Sequence, residues 1–163
     1  MAGAVLTVGT VLGVLTPVAG SAAAWADGPQ HVKSIIPFDV AFPAGEVCDF
    51  PLDDPGTLYV NSVIFPDKTI DHIKDQVAHT NQDTGFTLTE TVHYVETFTA
   101  ADDQIKDVGL FWHLRTPDGR LVVVQAGQLV TSATTGEVLK VTPAVNPDFA
   151  AVICPALGGH PAS

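Results

Sequence analysis

From residue 57 onward the sequence alternates between β-prone runs and short turn signals, and this alternation restricts the chain to an all-β fold. Turns rich in Pro, Asp, Asn and Gly separate the runs at 57–65, 69–79, 86–99, 108–116, 121–132 and 137–142. Consecutive strands joined by short turns are typical of an antiparallel meander. An earlier run at 35–42 adds an edge strand, because Pro37 has no N–H to donate to a central ladder.

The clearest strand is 86–99, in which apolar residues and threonines alternate. Leu88, Val92 and Tyr94 share one face, whereas the opposite face is rich in Thr. This period of two predicts a strand with one buried face and one solvated face. Glu90 and Glu96 fall on the apolar face, where a carboxylate is costly unless it is paired or open to water.

The strands are expected to form an up-and-down barrel or a sandwich, and the sequential hairpins favour the barrel. After the last strand, Asn146 and Pro147 predict the N-cap and the first position of a short C-terminal helix. We expect residues 35–163 to form one β domain, because this length suits a single hydrophobic core. Residues 27–34 are polar and without a pattern, and they predict a flexible arm.

Residues 1–26 carry no charge and are typical of a signal peptide that is removed on export. Their apolar run ends in Ala24-Trp25-Ala26, and small side chains in this arrangement fit the signal peptidase. Cleavage is expected before Asp27 or before Trp25, which leaves a secreted protein. No Lys or Arg precedes the run, and the span is about long enough to cross a bilayer, so an uncleaved membrane anchor is the alternative.

The sequence contains two cysteines, Cys48 and Cys154. An even count in an exported chain predicts one disulfide, because the extracellular compartment is oxidising. This bridge would join the loop at 43–56 to the end of the predicted helix. Closing a loop of roughly 100 residues contributes up to about 4.7 kcal/mol to stability in the chain-entropy description.

The charge balance is strongly acidic, with 18 Asp and Glu against 7 Lys and Arg and a net charge of −11. Nucleic acids and anionic membranes bind through clustered Lys and Arg, so we expect neither a nucleic acid nor a stable membrane partner. The balance fits a soluble extracellular protein. The sequence offers no complete motif for a catalytic nucleophile or for a cofactor, and we predict no catalytic residue and no cofactor.

The segment FPAGEVCDF at 42–50 resembles the opening of a group of small secreted β-meander proteins from high-GC Gram-positive bacteria. The turn at 81–85, the segment at 127–131 and the late Cys154 are similar to that group as well. The resemblance covers roughly residues 38–157. It implies export and a β-meander, and it implies no active site, because the group has no assigned function.

A ligand site is expected if the barrel has a mouth or an interior cavity. The residues that would line it are Glu90, Tyr94, Glu96, Trp112 and Arg115. Such a cavity could hold a small ligand, or it could raise the pKa of a carboxylate for acid catalysis. The alternative is structural: the strand twists, or it lies at an edge, or Glu90 pairs with Lys74 or Arg115 across the sheet.

Four histidines fall within the predicted strands: His72, His79, His93 and His113. His72, His93 and His113 lie on successive strands, so two or three of them could meet on one face and bind a divalent metal. The alternative is that these histidines are exposed or hydrogen-bonded and bind nothing.

Three function classes remain open from the sequence. The first is a secreted, non-catalytic binding module for a small apolar ligand or an extracellular protein partner. The second is a structural cell-envelope protein without a ligand, and the third is a small barrel enzyme of cyclase or isomerase type. A carrier needs an apolar cavity, a structural protein has a filled core, and an enzyme needs Glu, His and Tyr side chains that converge in a water-accessible site.

Overall fold

Seven strands stand side by side in the order in which they occur in the sequence, according to a computed structural model that describes residues 28–162. They are β1 (Gln30–Phe42), β2 (Leu52–Ile64), β3 (Lys68–Asn81), β4 (Phe86–Thr99), β5 (Gln104–Arg115), β6 (Leu121–Ser132) and β7 (Val138–Val141), followed by the helix α1 (Phe149–Ala156). Every neighbouring pair is antiparallel. The predicted all-β meander with a short C-terminal helix is therefore confirmed.

The sheet is open. Within residues 28–162, β1 pairs with β2 alone and β7 pairs with β6 alone, so the two edges do not meet. A barrel closes only when its first and last strands pair along their length. β7 has 4 residues and β1 has 13, so a full edge-to-edge ladder is not available. The barrel or sandwich predicted from the sequence is not formed, and a single sheet carries the fold.

The first strand is longer than the sequence predicts. β1 begins at Gln30, inside the segment 27–34 for which a flexible arm is expected, because Gln30 to Ser34 continue the ladder opposite Ile64 to Val60. Local patterning does not reveal this extension, since the pairing comes from β2. Pro37 lies within β1, an edge strand, as its missing N–H predicts.

One face of the sheet, here called the inner face, is covered at one end by α1 and by the loop around Cys48. The core at this end contains Val47, Cys48, Phe50, Leu52, Leu88, Trp112, Leu114, Val152, Ile153, Cys154 and Leu157. Fully burying an aliphatic or aromatic side chain contributes about 1.5–3 kcal/mol, so this cluster is the main source of stability. The other face is called the outer face.

The predicted disulfide is confirmed and joins the two elements that cover the core. Cys48 and Cys154 are bonded, with their Cα atoms 5.5 Å apart, and both are fully buried. Trp112 adds a second attachment, because its indole Nε1 donates to the backbone oxygen of Asn146 at 3.0 Å. The disulfide and this hydrogen bond hold the chain before and within α1 against the sheet.

The helix begins two residues later than the sequence predicts. Its N-cap is Asp148, whose carboxylate accepts from the backbone N–H of Ala151 at 3.1 Å. The side chain of Asn146 instead accepts from the backbone N–H of Asp148, and the N–H of Asn146 donates to Gln125 at 2.7 Å. Asn146 is therefore held by Gln125 of β6, and Asp148, whose side chain is also suited to this position, is the N-cap of the helix.

The predicted signal segment at 1–26 lies outside the described residues. Among the residues that are described, no helix has the length and apolar character needed to cross a membrane.

Candidate functional site

Charge is divided between the two faces of the sheet. Strand alternation places these acidic side chains at inner positions: Asp54, Asp71, Asp75, Glu90, Glu96 and Asp107. None of the 7 Lys and Arg residues occupies an inner position. Arg120 lies in the turn after β5, and the outer positions hold Lys33, Lys68, Lys74, Lys106, Arg115 and Lys140. Any positive charge that pairs with most of the inner carboxylates must therefore come from outside the sheet.

Among the inner residues of the described strands, His79 is the one that neutralises part of this negative charge. Its Nδ1 lies 2.9 Å from Asp54 Oδ1 and its Nε2 lies 2.9 Å from Glu90 Oε2. Burial opposes protonation of the imidazole, but the hydrogen bonds and the charges of Asp54 and Glu90 outweigh it and raise the pKa of His79 to about 9. His79 is then a cation at neutral pH and donates to both carboxylates.

The hydrogen-bonded group of His79, Asp54 and Glu90, here called the His79 network, is shielded from solvent by α1. His79, Asp54 and Glu90 are 2%, 5% and 7% exposed, and the ring of Phe149 in α1 lies 6.0 Å from the His79 ring, centroid to centroid. Buried polar groups are stable only when they are hydrogen-bonded, and here both ring nitrogens have partners. His79, Asp54 and Glu90 therefore provide hydrogen-bond partners for one another within the core.

The remaining inner carboxylates, here called the acidic cluster, are Asp71, Asp75, Glu96 and Asp107. Asp71 lies opposite Glu96, and Glu96 lies opposite Asp107, so three carboxylates cross β3, β4 and β5 in one row. Within residues 28–162, Oδ1 of Asp71, Asp75 and Asp107 is buried and has no hydrogen-bond partner. A buried polar atom without a partner costs about 1–3 kcal/mol, so this arrangement opposes stability.

The acidic cluster changes the protonation of its own members. Burial, together with the charge of Glu96, raises the pKa of Asp107 to about 7. Burial and the charge of Glu90 raise the pKa of Asp75 to about 6. Burial and the charge of Asp71 raise the pKa of Glu96 as well. Asp75, Glu96 and Asp107 are therefore easier to protonate than usual, which is the response expected of acids that lack a cationic partner.

Tyr94 stands among these carboxylates. Burial raises the pKa of its hydroxyl, and the charges of Asp107, Glu96, Asp75 and Asp71 add to the effect, so the phenol stays neutral. Its ring stacks on that of Phe111, with the centroids 5.8 Å apart and the planes at 14°. An aromatic surface therefore borders the carboxylates.

A bulge and a glycine produce this stack. The register of β5 slips between Leu110 and Trp112, which leaves Phe111 without a ladder partner and lets both Phe111 and Trp112 pack on the core side. Gly109 lies directly opposite Tyr94 with φ at +155°, and a Cβ there would come within 2.6 Å of the Tyr94 Cα. Only glycine permits this approach of β5 to Tyr94.

Apolar side chains border the acidic cluster on the side of β1 and β2. Leu58 lies opposite Asp75, and Val60 lies opposite Ile73, which is buried. Ile36 continues the row on β1 and is 46% exposed. Beside the carboxylates, the inner face therefore offers partly uncovered apolar surface.

The structure divides the predicted ligand residues among four places. Glu96 belongs to the acidic cluster and Tyr94 lies beside it, whereas Trp112 packs beneath α1. Glu90 pairs with His79, so the alternative in which it pairs with Lys74 or Arg115 is wrong. Both basic residues point to the outer face, where Arg115 donates to the backbone oxygen of Gly119 at 2.7 Å. The predicted set does not form one site.

The histidines predicted as metal ligands do not converge. His72 and His93 are exposed at outer positions of β3 and β4, opposite Val95 and Leu110. His113 accepts a hydrogen bond from the Arg115 Nε at 3.2 Å. In the part of the chain that the structure describes, no group of three or more His, Cys, Asp or Glu side chains has the arrangement of a metal site.

Sequence reasoning missed Asp54, Asp71, Asp75 and Asp107, and it did not single out His79. The signal that could have found them is the alternation of side chains along a strand. Asp71, Asp75 and His79 are spaced by even numbers of residues from the buried Ile73 and Val77, so they lie on the same face of β3. The same alternation in the other described strands places Asp and Glu, but no Lys or Arg, on the inner face.

A second surface feature is a shallow depression of about 550 Å³ at the end of the first hairpin. It is lined by Ala41, Phe42, Pro43, Pro51, Leu52, Asp53 and Gln82. Its polar side chains already pair with each other, because the Gln82 Nε2 donates to Asp53 at 3.2 Å. The acidic cluster, with its unpartnered oxygens, is the stronger candidate for a site.

Comparison of this chain with known protein families, with curated proteins and with solved structures found no match. The candidate site is therefore interpreted from its own chemistry.

Proposed function

We propose that this is a secreted, non-catalytic binding protein that takes a ligand on the inner face of its sheet, beside Tyr94. The observation that carries the proposal is the set of buried, unpartnered oxygens on Asp71, Asp75 and Asp107. Native proteins pair nearly all buried polar groups, so one without a protein partner calls for another group, such as water, an ion or a ligand, to complete the pairing. A ligand supplying donors to these oxygens would remove their cost.

The covering of the inner face supports the same proposal. α1 and the loop around Cys48 cover one end of the face, where Leu88, Leu114 and Ile153 are fully buried. Toward Glu96 and Asp107 the inner side chains of β1 and β2 are half-buried or exposed. A protein with a purely structural role would be expected to fill this end with apolar side chains, as it does the other.

A non-catalytic role is favoured by the position of the histidine. His79 is the side chain best suited to proton transfer near neutral pH, but both of its ring nitrogens are hydrogen-bonded and 2% of the residue is exposed. A substrate on the open part of the inner face does not reach it. The secreted location rests on the predicted signal peptide, and the disulfide between Cys48 and Cys154 is compatible with it.

The proposal is tested by blocking one face at a time. Ser62 and Asn61 are neighbours on β2, and Ser62 lies opposite Asp71 on the inner face whereas Asn61 lies opposite His72 on the outer face. We expect Ser62→Trp to fill the inner face and Asn61→Trp to leave it free. Native mass spectrometry would follow adducts after incubation with a small-molecule extract of the medium in which the natural host has grown.

The expected result is an adduct on the unmodified protein and on Asn61→Trp that is lost in Ser62→Trp. Circular dichroism would establish that both variants are folded. The absence of any adduct, or an adduct retained equally by both variants, would overturn the proposal.

A further inference from the structure

We infer that the ligand of the inner face is an organic cation, an ammonium or guanidinium group on a short apolar chain, held by Glu96, Asp107 and Asp71 beside Tyr94. This inference rests on the proposed function and names the class of ligand. The row of carboxylates from Asp71 through Glu96 to Asp107 supplies acceptors on three adjacent strands. An ammonium group has three N–H donors and a guanidinium has five, so either can satisfy several acceptors at once.

The burial of Asp107 distinguishes this cluster from an ordinary acidic surface. Asp107 is 9% exposed, yet its Oδ1 has no hydrogen-bond partner in the described part of the chain. It lies opposite Glu96 and close enough to Tyr94 for its charge to raise the pKa of the phenol. A nine-tenths buried carboxylate that faces other carboxylates needs a donor or a positive charge, and neither the sheet nor α1 provides one.

The distribution of charge excludes a partner within the sheet. The strand lysines and Arg115 project from the outer face, and His79 is occupied by Asp54 and Glu90. The inner carboxylates are thus gathered on one surface, and the strand lysines and Arg115 are excluded from it. Complementary potential is the usual basis of specificity for a charged ligand.

The groups around the cluster indicate an organic cation rather than a metal ion. The stacked rings of Tyr94 and Phe111 border the carboxylates, and aromatic faces attract alkylammonium and guanidinium groups. Leu58, Val60 and Ile36 extend apolar surface away from the cluster toward β1, which suits an apolar chain attached to the charge. Among the described residues, no group of three or more His, Cys, Asp or Glu side chains has the arrangement of a metal site.

The inference is tested by calorimetry with a cation and its neutral counterpart. Hexane-1,6-diamine carries two ammonium groups on an apolar chain, and hexane-1,6-diol has the same chain without charge. We expect the diamine to bind at a 1:1 ratio at pH 8 and 150 mM salt, and the diol not to bind. Glu96→Gln and Asp107→Asn should each weaken diamine binding at least tenfold, because each removes one charged acceptor.

The matched control is Asp39→Asn, which removes a carboxylate from an exposed outer position of β1. It should leave the affinity for the diamine within twofold, whereas general attraction to an acidic protein would be weakened equally by all three substitutions. Thermal unfolding would verify that each variant is folded.

Three results would overturn the inference. They are no binding of the diamine, equal binding of the diol, and equal effects of Asp39→Asn and Asp107→Asn. If these results occur while the culture-medium adduct is still lost in Ser62→Trp and kept in Asn61→Trp, the inner face binds a ligand of another class. In that case the proposed function stands and the cation assignment fails.

Discussion

Asp107 on β5 lies directly opposite Glu96 on β4, so two acidic side chains face each other across the ladder, and the described strands place no Lys or Arg on the inner face to separate them. Like charges in directly opposite positions destabilise a sheet. Burial and the charge of Glu96 together raise the pKa of Asp107 to about 7. The unliganded protein therefore retains an unfavourable pair at the site that we propose for the ligand.

Removing one charge from this pair should stabilise the unliganded protein. We expect Asp107→Asn to raise the free energy of unfolding at pH 8 by about 1–3 kcal/mol, because a neutral amide avoids burying an unpaired charge. The gain should shrink toward pH 5, where Asp107 is protonated in the folded state. Urea denaturation measures both values. Asp39→Asn, at an exposed outer position, should change stability by less than about 0.5 kcal/mol.

At the end of the inner face that α1 covers, removing a charge is expected to lower the stability of the protein. His79→Leu should lower the free energy of unfolding at pH 7 by about 3–5 kcal/mol, because it leaves Asp54 and Glu90 buried without their cation. The control is His93→Leu, on the exposed outer face of β4. Adding Asp54→Asn and Glu90→Gln to His79→Leu should restore part of the loss. Equal effects of His79→Leu and His93→Leu would show that the network is not needed.

Stability should fall as the pH rises from 5 to 9. The folded-state pKa of His79 is about 9, above its ordinary 6.5, so its contribution is complete below pH 6.5 and disappears as the pH passes through 9. Asp75 and Asp107 have folded-state pKa values of about 6 and 7, above the ordinary 3.8, so charging them costs stability as the pH rises through this range. One pKa unit corresponds to about 1.4 kcal/mol, and we expect a total loss of at least about 2 kcal/mol.

Urea denaturation at pH 5, 7 and 9 checks this pH dependence. Glu96 and Tyr94 on β4 and Asp71 on β3 face Asp107, while its β6 partner Leu129 does not titrate. A free energy of unfolding that is highest at pH 9 would contradict the raised pKa values.

The disulfide should hold α1 over the core. Replacing Cys48 and Cys154 with Ser should lower the free energy of unfolding by about 2–5 kcal/mol, because the bond closes a long loop and anchors the helix. In a chain beginning at Asp27, Trp112 is the only tryptophan, and its indole is buried beneath the segment that leads into α1. We expect its fluorescence to shift to the red at a lower urea concentration in the double variant. Unchanged midpoints would show that α1 is held by packing alone.

Much of the sheet could be predicted because its signals are local. The strand predicted at 86–99 is β4, and its Thr-rich outer face and apolar inner face follow from period two. The prediction that Glu90 and Glu96 interrupt the apolar face is correct in position. The disulfide followed from the number of cysteines, and the edge position of β1 followed from Pro37.

The parts that could not be predicted depend on register and on distant contacts. Asp54 lies in a stretch, Asp53-Asp54-Pro55-Gly56, that reads as a loop, yet it belongs to β2 because both neighbouring strands pair around it. Only the register shows that Asp54 and Glu90 meet at His79. Whether the sheet closes also depends on its edges, and strand periodicity does not report on them.

The most direct test of this account is a pH titration of the Asp107 carboxyl carbon by NMR, with and without hexane-1,6-diamine. We predict a midpoint near pH 7 in the free protein and a midpoint at least one unit lower with saturating diamine, because a bound cation favours the charged carboxylate. A midpoint near 4 in the free protein, or one that the diamine leaves unchanged, would contradict the claim that the acidic cluster is a site for an organic cation.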